Sequence, residues 1–151
     1  MIYKEEVMDL FSVPDEYYLA HCISADFKLG AGIALEFDKR FDMRNKLFYE
    51  FGDGLELWDY ALKNNVYGEC ILVDRVLNLL TKEKYYHKPT LRSMTHALIM
   101  MELVCKVNNI TKVAMPTIGC GLDKLEWSNV SKLIKSVFKD TDIEILVCKR
   151  P

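Results

Sequence analysis

Three short stretches bring together residue types that can act on an anionic ligand. In "TIGCGLDKLEW", Gly119 and Gly121 flank Cys120, and Asp123 follows two residues later. In "KLGAGIALEF", Gly30 and Gly32 precede a helical pattern, and in "LLTKEKYYHKPT" Lys82 closes an apolar run. Glycines at the end of a strand allow positive φ and close backbone approach, and the helix that follows points unpaired N–H groups and a positive dipole end outward. Such a loop cradles an anion, or it is simply a strand-to-helix turn; one G-x-G does not decide. Two such loops on one sheet can embrace the two phosphates of a diphosphate. Leu35 stands where a third glycine of the dinucleotide fingerprint would be, and no G-K-[ST] follows, so neither that motif nor a P-loop is present. Asp123 is either a helix-cap carboxylate or a group that acts on the sugar attached to that diphosphate. Lys82 is either a solvated strand end or a reactive amine. Asp9 is a turn or cap residue, or an acceptor for an exocyclic amino group of the kind that selects adenine. Cys120 has no histidine near it in sequence, which argues against a thiol nucleophile. His87 and Lys88, before Pro89, read as the approach to a helix.

These groups need elements to hold them. At 151 residues, half of them hydrophobic, the chain suffices for a single domain, 1–151, with one well-buried core. Residues 2–7 predict a first strand and Tyr17–Cys22 a second, buried one. A helix is expected from Ile33, with Ala34, Phe37 and Phe41 about one turn apart. Between 42 and 65, Phe48, Phe51, Leu55, Trp58 and Leu62 suggest helical pieces broken at Gly52-Asp-Gly54. Tyr67–Val73 and Val76–Thr81 predict two strands around Asp74-Arg75. Leu91–Val107 predicts a helix with Leu91, Met94, Leu98, Met101 and Cys105 on one face. Lys112–Met115, Trp127–Phe138 and Ile143–Cys148 complete the order β-β-α-β-β-α-β-α-β. That order implies an α/β sandwich around a mostly parallel or mixed sheet, with ligands at the carboxyl ends of its strands.

Composition excludes other classes. The formal net charge is −2 with no long basic run, unlike a general nucleic-acid binder. The five cysteines are scattered and odd in number, which argues against a disulfide framework or a zinc site, and the three histidines have no metal-ligand spacing. No apolar run has membrane length and the first residues lack an h-region, so a cytoplasmic protein is expected, or a nuclear one.

Taken together, "AHCISADFKLGAGIALEF", "LLTKEKYYHKPT", "MPTIGCGLDKLEW" and "TDIEILV" resemble the macrodomains, and more narrowly the terminal ADP-ribose protein glycohydrolase branch. The similarity runs from about Asp9 to Val147, with residues 52–66 outside it. It implies a three-layer α/β/α fold with a mixed central sheet and ADP-ribose in a cleft over the strand ends. By resemblance, Asp9 hydrogen-bonds the adenine amino group, Ser24 lies in the ligand loop, and Leu10 and His21 belong to the ligand-binding set. Gly30, Ala31, Gly32, Ile33 and Ala34 line the diphosphate and distal ribose, and Pro116, Thr117, Ile118, Gly119, Cys120, Gly121 and Leu122 form the opposite phosphate loop. Lys82 and Asp123 match the branch's catalytic lysine and aspartate.

The resemblance thus implies a hydrolase that removes ADP-ribose from modified Glu or Asp side chains, with no metal and no redox cofactor. Its expected partners are ADP-ribose and a mono-ADP-ribosylated protein, with ADP-ribosylated nucleic acid an alternative, and it is expected to be a monomer. A non-catalytic ADP-ribose reader, or a hydrolase of O-acyl-ADP-ribose or ADP-ribose 1″-phosphate, would use the same loops.

Overall fold

A computed structural model describes residues 1–151. The strands are β1 (Ile2–Val7), β2 (Tyr18–Ser24), β3 (Glu69–Val73), β4 (Val76–Lys82), β5 (Lys112–Met115) and β6 (Glu144–Lys149). The helices are α1 (Gly32–Phe41), α2 (Met43–Phe51), α3 (Gly54–Lys63), α4 (Leu91–Val107) and α5 (Trp127–Phe138). One six-stranded sheet runs in the order β1-β6-β5-β2-β4-β3. Only the β3–β4 hairpin is antiparallel, so the sheet is mixed.

Alternation along the strands builds the three layers. Val76 and Leu80 of β4 face one way, with Leu19, Ile23, Ala114 and Leu146, into a core closed by Phe37, Met43, Leu47 and Trp58 of α1–α3. Leu77 and Leu79 face the other way, with Ala20, Val113, Ile145 and Val147, into a core closed by α4 and α5. Strands buried on both faces read as continuous apolar runs, as these do. Helices α1–α3 therefore form one layer, the sheet a second, and α4 with α5 the third.

Several boundaries differ from the sequence expectation, each for a local reason. β2 begins at Tyr18, because Tyr17 N–H turns back to the Pro14 carbonyl, and continues to Ser24, which pairs with Lys82. β3 begins only at Glu69, because Tyr67 N–H donates to His96 Nδ1 of α4 instead of to a strand. The region 42–65 folds as two short helices divided at Gly52-Asp-Gly54, and Asp53 Oδ1 caps α3 by accepting from Leu55 N–H at 2.9 Å.

Candidate active site

Across the carboxyl ends of β2, β4, β5 and β6 lies a cleft of about 880 Å³. Its walls are the loop 28–34 and the loop 116–124, which come from opposite sides of the sheet centre. The floor includes Cys22, Ile23, Ser24 and Cys148.

The first loop is set by buried side chains. Phe27 (φ 54) and Leu29 (φ 44) both adopt left-handed backbone, an arrangement that costs roughly 1–2 kcal/mol per non-glycine residue. Both side chains are buried in the core, and that burial holds the strain in place. Lys28, Leu29 and Gly30 all line the cleft, Leu29 with most of its side chain in the core. Gly32 (φ 58) opens α1, so one glycine of the pair uses the left-handed region and Gly30 does not. The second loop repeats this: Gly119 has φ 74, whereas Gly121 does not need positive φ.

Lys82 and Asp123 meet at the centre. Lys82 is the last residue of β4, next to a register shift at Ile23/Ser24, and Asp123 sits at the end of the second loop. Lys82 Nζ donates to Asp123 Oδ1 at 2.6 Å, and the two side chains are only 13% and 14% exposed. The pair lies 41 residues apart in sequence and is formed by the convergence of two strand ends.

The segment after Lys82 ties the two loops together. Ala25 N–H donates to the Lys82 carbonyl at 2.9 Å and Asp26 N–H to the Glu83 carbonyl at 3.1 Å, prolonging the β2–β4 pairing. The Asp26 carboxylate accepts from Ser24 Oγ at 2.5 Å, Lys28 N–H at 3.1 Å and Tyr85 N–H at 3.0 Å. At the other end, Lys88 Nζ donates to the Leu122 carbonyl at 2.7 Å, beside Asp123.

The thiols in the cleft are held in the protonated form. Burial, followed by the Asp123 charge, pushes Cys22 well up; burial raises Cys120; and burial, then Glu6 and Asp9, raises Cys148 to about 11. No group of three or more His, Cys, Asp or Glu side chains is placed to hold a metal ion.

The structure brings most of the expected site residues together. Ser24, Gly30, Ala31, Gly32, Ile33, Ala34, Lys82, Pro116, Thr117, Ile118, Gly119, Cys120, Gly121, Leu122 and Asp123 all line the one cleft. Three do not. His21 is fully buried under Phe37, ring centroids 3.9 Å apart, and Asn78 shares its Nε2 proton at 2.6 Å. The Asn78 amide nitrogen donates to the Ile71 and Val76 carbonyls, so its oxygen faces the ring and Nε2 carries the hydrogen. An apolar strand interior placed this histidine in the core. Leu10 is also a core residue. Asp9 caps the 3-10 turn Leu10–Ser12, accepting from Phe11 N–H at 3.0 Å, and its charge acts on the Cys148 thiol. It therefore flanks that end of the cleft without lining it. The sequence reading missed Lys28, Tyr85, Lys88, Lys124 and Arg150, which also line the cleft. Their only signal was proximity to the motifs, since isolated cations and tyrosines in loops are ordinarily solvated surface.

This arrangement has known counterparts. Superposition on the macrodomain of Mycobacterium tuberculosis DarG gives a TM-score of 0.77 at 23% identity, covering 99% of this chain and 98% of that one. Thermosipho africanus DarTG in complex with ADP-ribose matches with a TM-score of 0.62 at 19% identity, over 93% of this chain and 39% of that one. The fold is thus the macrodomain fold. In sequence, the chain is 41% identical over 143 residues to human ADP-ribose glycohydrolase OARD1, spanning 92% of this chain and 86% of that protein. The chain belongs to the macrodomain family, in the branch of that glycohydrolase. No family model matches it.

Proposed function

We propose that the protein is a mono-ADP-ribosyl hydrolase that binds ADP-ribose in the cleft and releases it from modified Glu or Asp side chains. The observation that carries this reading is the Lys82–Asp123 pair, 2.6 Å apart and largely shielded from solvent, at the point where the two glycine loops converge. A passive reader of ADP-ribose has no need of a shielded amine and carboxylate there. Support for the ligand comes from the relative named as an ADP-ribose glycohydrolase and from the ADP-ribose complex of a structural neighbour.

The loops 28–34 and 116–124 hold the diphosphate through backbone N–H groups, and that binding energy fixes the distal ribose against Lys82. Asp123 takes a proton from the Lys82 ammonium. The amine then attacks the anomeric carbon, the bond from that carbon to the acyl oxygen breaks, and the acyl oxygen leaves with the electron pair and takes the proton from Asp123, which becomes a carboxylate again. Ring opening gives an imine between Lys82 and the sugar. Asp123 next activates a water, which adds to the imine carbon, and collapse returns the lysine amine and free ADP-ribose. Net consumption is one water, so the scheme calls for no metal or redox cofactor.

Borohydride added during turnover tests the covalent step, because reduction of an imine makes a permanent amine. Intact mass should then show one ADP-ribose on wild type, mapped to Lys82, and none on Lys82→Ala. Turnover by Lys82→Ala at the wild-type rate contradicts the scheme.

A further inference from the structure

A second, shallower cavity of about 310 Å³ lies against the end of β4 and shares Lys82 and Lys88 with the main cleft. Trp58 of α3 and Tyr67 form aromatic walls, and Arg92 in the first turn of α4 stands at its side. The Arg92 guanidinium lies 3.9 Å from the Tyr67 ring centroid. Tyr67 is itself anchored, because its N–H donates to His96 Nδ1 at 2.9 Å, about one turn further along the same helix. Arg92 thus stacks on a ring whose backbone is anchored, yet it makes no ion pair. The shared cations differ: Lys82 is committed to Asp123 and Lys88 to the Leu122 carbonyl. Glu83 is the one carboxylate in the lining. A stacked guanidinium with its fork unfilled suits a planar, two-oxygen acceptor and loses little freedom in binding one.

We infer that this cavity receives the polypeptide flank of the substrate, and that Arg92 pairs with a carboxylate side chain beside the modified residue. The inference rests on the proposed glycohydrolase reading. The sugar under attack sits at Lys82 and Asp123, so the chain that carries it leaves the cleft where Lys82 and Lys88 border the second cavity. Trp58, Leu62 and Tyr67 offer apolar surface to the methylene stem of a glutamate. A nucleic-acid flank would call for a row of uncommitted cations following successive phosphates. A single uncommitted guanidinium backed by apolar walls fits an acidic peptide better.

The test uses two peptides with one ADP-ribosylated glutamate, flanked by Glu in one and by Gln in the other, and an ADP-ribosylated oligonucleotide. Wild type, Arg92→Ala and Arg92→Lys are compared for release and, by calorimetry, for affinity of each modified peptide and of free ADP-ribose. The expected result is a kcat/KM about fivefold higher for the acidic flank, the size of one partly exposed ion pair. That preference disappears in Arg92→Ala, returns in part in Arg92→Lys, and leaves ADP-ribose affinity constant. Equal handling of the two flanks by wild type, or a preference that survives Arg92→Ala, overturns the inference. So does loss of oligonucleotide turnover alone in Arg92→Ala, which would assign the cavity to nucleic acid. Absence of release from every substrate by wild type refutes the glycohydrolase reading instead, and the affinities of the two modified peptides then decide the cavity's role by the same comparison.

Discussion

At the scale of single residues, the chemistry depends on how firmly two side chains are held. Lys82 and Asp123 touch each other, but neither fixes its own backbone. Asp26 steadies the loop and segment around Lys82, where its carboxylate gathers Ser24 Oγ and the N–H groups of Lys28 and Tyr85, and Lys88 reaches the Leu122 carbonyl beside Asp123. Asp26→Asn replaces one acceptor oxygen with a donor that faces another donor, with almost no change in shape. Release of ADP-ribose is expected to slow by about ten- to hundredfold, the cost of a displacement of about an ångström at a reacting centre, while the melting temperature moves only slightly. Release kinetics beside a thermal melt check this. The pair itself was legible in sequence only through the ordered set of motifs, since each residue alone had an ordinary explanation. Asp26 was not legible, because a carboxylate in a loop gives no sign of what donates to it.

At the scale of elements, the sequence carried α4 and β5 to the residue and α5 in its approximate bounds, because their apolar periodicity is long or sharply bounded. The first half was less clear for physical reasons. Phe48 and Tyr49 of α2 are exposed, which blurs the amphipathic pattern of a helix only nine residues long. Tyr67 has strand character but is drawn away by a histidine on α4 that no local pattern reveals. The two glycine loops were recognised as a device, yet of their four glycines only Gly32 and Gly119 adopt positive φ. Gly119 is the more constrained of the two: a Cβ there would lie 2.7 Å from Met94 Cε and 3.1 Å from Leu125 Cδ1. Gly119→Ala thus combines left-handed strain with a clash beneath the second glycine loop. A loss of roughly 1–2 kcal/mol in stability is expected, together with weaker ADP-ribose binding, measured by chemical denaturation and calorimetry. Unchanged affinity would mean that the loop tolerates the shift and does not hold the ligand through its backbone.

At the scale of the whole molecule, a buried histidine and an ion pair at the surface make stability depend on pH. Burial lowers His21 to about 4, against the partial opposition of its Asn78 hydrogen bond, so the folded protein keeps the ring neutral. The unfolded chain binds a proton there below about 6.5. Between about 6.5 and 4 the unfolded state holds more protons, and stability falls as the pH falls through that window before levelling off. The shift corresponds to about 3 kcal/mol. His21→Gln should be less stable at neutral pH but should lose this part of the slope, as urea titrations at several pH values would show. A second window lies lower. The Lys149 ammonium, then the Tyr3 hydroxyl, hold Glu5 down at about 2, and this contribution, present above the usual carboxylate value, is lost as the pH falls from about 4.5 towards 2. The buried strand that holds His21 was legible in sequence, but the core role of its ring was not, because His21 stood beside the ligand motif and resembled part of it.

The function of the protein turns on whether the cleft cleaves what it binds. The most direct measurement is a time course of ADP-ribose release from a protein mono-ADP-ribosylated on glutamate, with wild type beside Lys82→Ala and Asp123→Ala, and calorimetric ADP-ribose binding in all three. Release by wild type alone, with binding retained in both variants, is the predicted result. Binding without release by wild type, or release by both variants at the wild-type rate, would contradict it.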